Sequence, residues 1–101
     1  MIVDFTQKVN NVLTGKVFIN EDKSELTLSN VACNALFANP EEEKIDGVEK
    51  LKRYELAIRI IKSPKNDLSI EEVAKIKELV AKIYGTIIVG VVYGMIEGKS
   101  K

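Results

Sequence analysis

The chain has no histidine and no tryptophan, one cysteine and two prolines, and its 15 lysines and arginines are balanced by 15 aspartates and glutamates. Each absence removes a class of chemistry. Without histidine there is no imidazole general acid or base, and no nucleophile can be activated by one. Cys33 alone can neither close an internal disulfide nor assemble a zinc site with cysteine or histidine companions. It falls inside an expected helix, where a lone thiol packs as a small hydrophobe. Zero net charge provides no whole-molecule field to attract a polyanion, so nucleic acid is not an expected partner. The most apolar stretch, Ile83 to Ile96, is an uncharged run of fourteen residues, about 21 Å as a helix against roughly 30 Å of bilayer hydrocarbon. No membrane span is expected from it. The start carries Asp4 and lacks a basic segment followed by an apolar run, so no signal peptide is expected either. With the lone thiol, this points to a reducing cytoplasm.

What is present is architecture. At 101 residues, 46% hydrophobic and 30% charged, residues 1–101 make a single domain with one modest core. Val3 and Phe5 alternate with Asp4 and Thr6 in an extended start. Lys16 to Ile19 and Glu25 to Leu28, separated by the polar string Asn20 to Ser24, read as a β-hairpin. Leu28, Val31, Ala32, Ala35 and Leu36 then follow the spacing of a core-facing helix, with Thr27 as its cap and Leu26 and Val31 as a hydrophobic staple. Pro40 ends that helix. The acidic connection Glu41-Glu42-Glu43 lacks the alternating ligands and turn glycine of a calcium loop, so it is read as solvated and no metal is assigned.

Asp46 to Glu49 has the spacing of a capping box, and Pro64 follows the helix it starts. On this helix Leu51, Tyr54, Ala57, Ile58 and Ile61 share the expected core side, widened by Leu56 and Ile60. The resulting apolar arc is broader than one core contact requires. Ser69 and Glu72, with Leu68 and Val73 as the staple, start a further helix whose expected buried face is Val73, Ile76, Leu79, Val80 and Ile83.

The run from Thr86 on has β-branched residues that favour a strand and glycines that weaken one. Helix is the expectation, with Thr86 as cap. Gly90, Gly94 and Gly98 then stack on one face, where another backbone can approach closely. The expected fold is therefore α+β, mostly α: an N-terminal β-hairpin followed by about four helices at 28–38, 47–62, 70–84 and 86–97.

Elimination extends to phosphate loops, because Gly98-Lys99-Ser100 lacks the upstream glycine spacing and the following helix. No cofactor and no catalytic residue is assigned. Binding is better supported. Lys50, Lys52, Arg53, Arg59, Lys62 and Lys65 concentrate positive charge along the second helix and its exit. Lys50, Arg53, Tyr54 and Arg59 are the candidate ligand-binding set, for a nucleotide or a nucleic-acid backbone. The competing reading is a solvated face neutralised by Glu49 with Arg53 and Glu55 with Arg59 at i,i+4. Leu56, Ile60, Gly90, Tyr93 and Gly94 are the expected oligomer interface.

Several segments also carry a likeness. Leu26-Thr27-Leu28 with Val31 and Asn34-Ala35-Leu36, Glu49-Lys50-Leu51-Lys52-Arg53-Tyr54-Glu55-Leu56-Ala57, Leu68-Ser69-Ile70-Glu71-Glu72, Ile76-Lys77-Glu78-Leu79-Val80 and Val89-Gly90 together resemble a group of small bacteriophage and prophage proteins. The resemblance spans roughly residues 24–97. It departs at Gly85-Thr86, where the group often has proline. It implies a phage setting in the host cytoplasm and supplies no catalytic motif. The expected function is a non-enzymatic phage accessory protein, a homo-oligomer that inhibits a host defence protein or sequesters a small signalling nucleotide. A phage assembly or structural protein is the alternative, and a nucleic-acid-binding regulator comes third.

Overall fold

Residues 1–38, 44 and 46–98 are described by the structure, a computed structural model. The acidic residues Glu41 to Glu43 and the Lys99-Ser100 pair lie outside them. In chain order the elements are β1 (Ile2–Asp4), α1 (Leu28–Phe37), α2 (Gly47–Lys62), β2 (Lys65–Asp67), α3 (Ile70–Ile83) and α4 (Thr86–Ile96). The architecture is the expected α+β, mostly α fold, and each helix ends within one residue of its expected boundary.

Local chemistry explains the helix starts. Thr27 accepts the Asn30 N–H at 3.2 Å, while the Asn30 side chain accepts the Thr27 N–H at 3.1 Å. These reciprocal bonds satisfy two amide donors at the start of α1. Ser69 and Glu72 make the same reciprocal arrangement at the start of α3, at 2.9 and 3.1 Å. Asp46 caps α2 by accepting the Glu49 N–H at 2.9 Å. The start of α4 differs from expectation: Gly85 is the N-cap and no side chain caps the helix. Thr86 is already its first residue.

The β structure is more dispersed than a simple hairpin. Antiparallel bridges link Ile19 with Glu25, Asn10 with Val17, and Lys8 with Thr27, so the expected hairpin is joined by the segment before it. The turn between its arms closes through Lys23 N–H to the Asn20 carbonyl at 2.9 Å, with Lys23 at φ 71°. The two-stranded sheet forms elsewhere. β1 pairs antiparallel with β2, bringing Val3 opposite Asn66. Residues 65–67, expected only as the break after α2, are therefore a strand. The terminal ammonium reinforces this long-range pairing by donating to the Leu68 carbonyl and to Asp67 Oδ1, both at 3.0 Å.

One core joins these layers. Val3, Phe5 and Val9 enter it from the N-terminal segment, Leu28, Val31 and Ala32 from α1, and Ile76 and Val80 from α3. α1 packs against both α2 and α3, and α4 packs against α3. Val92, Met95 and Ile96 fix α4 to the core, whereas Ile83 at the end of α3 is exposed, contrary to its expected place.

Candidate functional site

α2 decides which surfaces are available. Its buried side is Arg53, Leu56, Ala57 and Ile60, while Leu51, Tyr54 and Ile61 are each more than half exposed. The helix is thus rotated relative to the expected core stripe, with only Ala57 of that stripe fully buried. Ala57 has no exposed surface, and its carbonyl lies 3.7 Å from the Cys33 thiol on α1. Small residues at this contact let the two helices approach closely. Leu56 and Ile60 fill the space beside them. Their assignment to an oligomer interface is corrected accordingly, because the chain's own core occupies them.

The four expected ligand-binding residues divide between two surfaces. Arg53 and Arg59 line a cleft of about 520 Å³ between α2 and α3, together with Lys52 and Lys75, Glu49 and Glu55, and Glu71 and Glu72. Lys50 and Tyr54 do not line it. Arg53 is only 4% exposed and donates from Nε to Glu49 Oε2 at 2.9 Å. Lys75 reaches the same carboxylate oxygen at 3.2 Å. Arg59 donates to Glu72 Oε2 at 2.6 Å and to the Asp67 carbonyl at 3.3 Å.

The bond from Arg53, supported by Lys75, holds the Glu49 carboxyl below its ordinary value. Burial pushes the Glu72 carboxyl up, but bonds from Ser69 and Arg59 outweigh it and leave the pKa lowered. Four cations and four carboxylates therefore share this cleft, and its principal cations are engaged by carboxylates. The geometry is that of an ion-pair network joining two helices, and it leaves no concentrated positive field for a phosphate. The expected Glu55–Arg59 pair does not form, since Arg59 turns to α3. Within α3, Glu78 and Lys82 pair at i,i+4 at 3.5 Å, while Lys75, four residues after Glu71, reaches Glu49 on α2.

The expected interface residues on α4 are also redistributed. Tyr93 donates its hydroxyl proton to the Lys77 carbonyl at 2.7 Å, and the Lys77 ammonium stands 5.4 Å from its ring centroid. This binds α4 to α3 within the chain. A Cβ placed on Gly90 or Gly94 would meet nothing within 4 Å. Of the two contacts expected for the glycine face, with α2 or with a second copy of the chain, the first is therefore absent. Ile87, one turn before Gly90 on α4, and Ile83 at the end of α3 remain 38% and 39% exposed.

Sequence reasoning missed an uncovered apolar surface on α2. Leu51, Tyr54 and Ile61 run along the outer side of α2, with half-buried Ile58 between them and exposed Val48 near the helix start. Phe37, at the end of α1, is 51% exposed and meets Tyr54 at a ring-centroid distance of 6.4 Å and an interplanar angle of 45°. The width of the apolar arc on α2 was the available signal; which side would face inward was not.

Among the described residues no group of acidic, cysteine or histidine side chains has metal-site geometry. No described helix is long and apolar enough to cross a membrane. Burial raises the Cys33 thiol above its ordinary value, with a weaker opposing effect from Ser29, the reverse of the activation a nucleophile requires. Comparison with known proteins finds no matching protein family, no similar curated protein and no similar solved structure.

Proposed function

We propose that the protein is a non-enzymatic accessory protein that acts by binding other protein surfaces, with a homo-oligomer as its working form. One observation carries this reading: the outer face of α2, with Phe37, leaves a contiguous set of large apolar side chains uncovered by the chain itself. Such a surface at the centre of a charged helix favours protein association over capture of a charged small molecule. The compensated cleft removes the main support for nucleotide sequestration. Exposed Ile87, one helical turn before the open Gly90, supplies a second apolar position on α4.

The phage setting rests on the segmental resemblance of residues 24–97. In that setting, inhibition of a host defence protein is the first reading. Phage assembly is the second, favoured by the same uncovered faces. Native mass spectrometry of protein purified from expressing cells tests the shared core of both. The expected species is a multiple of the 11.3 kDa chain, alone or in complex with another protein. A bare monomer, or a monomer retaining a nucleotide, refutes the proposal.

A further inference from the structure

We propose that α2 pairs in parallel with α2 of a second copy, using Leu51, Tyr54, Ile58 and Ile61 as the seam. This rests on the oligomeric reading above and specifies its interface. The four positions are spaced by three, four and three residues, the a/d alternation of two heptads. Leu51, Tyr54 and Ile61 are exposed and Ile58 is half-buried, while the inner side of the helix is held in the core by Leu56 and Ile60, with buried Ala57 at the boundary beside Ile61. The seam is therefore open to a partner without unpacking the chain. At 16 residues, α2 presents about 24 Å of helix.

Charge identifies a second copy as the occupant and sets its direction. Lys50 immediately precedes the first seam residue, and Glu55 lies five positions later. In a parallel pair these are the flanking positions that face each other across the seam, so Lys50 of each copy meets Glu55 of the other. Two symmetric ion pairs result. Both residues are exposed, and neither forms an ion pair with another described residue. An antiparallel pair would instead bring Glu55 against its own copy.

Area is also sufficient. Val48, Leu51, Tyr54, Ile61 and Phe37 are 51–64% exposed. Five side chains of this size leave on the order of 500 Å² per copy, so a symmetric contact that covers them fully removes about 1,000 Å², about the minimum for a biological interface and in the range of weak, reversible ones. Phe37 widens the seam beside Tyr54, and the two-fold axis runs along the paired helices.

Sedimentation equilibrium of the full chain over micromolar to millimolar concentrations is expected to show a monomer–dimer equilibrium. The L51K/I61K variant, altered only at exposed positions and checked for fold by circular dichroism, is expected to raise the dimer dissociation constant at least tenfold. K50E alone should raise it about fivefold at low salt, and K50E/E55K should restore it to within about twofold. Leu51→Cys should form an inter-copy disulfide on mild oxidation, because position 51 meets itself only in the parallel pair. Buried Cys33 remains unreactive.

A dimer unaffected by L51K/I61K overturns the inference, as does failure of charge exchange to rescue or of position 51 to cross-link. If I87K dissolves an assembly that L51K/I61K leaves intact, the α2 seam is refuted while the oligomeric reading stands. A monomer under every condition that also binds no other protein refutes both.

Discussion

Gly90 and Gly94 offer the sharpest test of how α4 is held. Both lie inside Thr86–Ile96, neither has a positive φ, and neither has an atom within 4 Å of an added Cβ. Alanine fits the backbone and lowers the conformational entropy of the unfolded chain. Each glycine in a helix interior costs about 1 kcal/mol relative to alanine, so G90A/G94A is expected to gain about 2 kcal/mol. For a domain of this size that raises the melting temperature on the order of 10 °C. Thermal and urea unfolding followed by circular dichroism, at two protein concentrations, provide the measurement. The expected gain is independent of concentration. A lower melting temperature would refute the reasoning, and its dependence on concentration would show that a second copy's backbone lies against the glycine face.

The ion pair at the edge of α2 gives a contrast between truncation and replacement. Glu49→Ala removes the acceptor used by both Arg53 and Lys75 and should cost about 2 kcal/mol in urea unfolding, below a fully buried pair because Glu49 remains partly exposed. Arg53→Met, which keeps the apolar stem, should cost less than about 1 kcal/mol; a larger loss for Met than for the Glu49 truncation would contradict the assignment. Acid should act through the same groups. The carboxyls of Asp4, bonded by Thr6, and of Glu49 and Glu72 are lowered from ordinary values of 3.8, 4.5 and 4.5. Their stabilisation is present above those unfolded-state values and is lost as pH falls through the lower folded-state values. Urea midpoints should therefore be flat near neutrality and fall in acid, with a shallower fall in Glu49→Ala; a midpoint that rises on acidification would overturn this account.

The parts legible in the sequence were those governed by short-range rules. Thr27 and Ser69 are caps because their oxygens can reach an amide three residues on, and the first helical turn fixes that geometry whatever packs around it. Residues 65–67 were opaque for the opposite reason. Their pairing with Ile2–Asp4 is set by a partner more than sixty residues away, and a three-residue strand carries almost no periodicity of its own. The uncovered apolar face of α2 was misread through phase. The breadth of the apolar arc on α2 was visible, but apolar residues on both sides left its rotation undetermined until Ala57 met Cys33 on α1. The pairing within the basic cluster was hidden because Glu72, the residue that neutralises Arg59, comes from another helix.

The rotation of α2 bears directly on function. Turning the helix so that Leu51, Tyr54, Ile58 and Ile61 faced inward would have placed an entirely uncharged stripe in the core. The observed orientation buries Arg53 instead, whose guanidinium must then be held by Glu49 at the edge. A buried arginine adds desolvation cost that an apolar residue of similar length would not. A monomer selected only for stability gains little from this arrangement, since one apolar face is enough to anchor a surface helix. Leu56, Ala57 and Ile60 already supply that face. The outer stripe is therefore surplus to folding, and its exposure also adds an aggregation liability. Both features are accounted for if the outer stripe is itself a contact surface, with Arg53 and Glu49 holding the inner side while the second apolar face remains available for association.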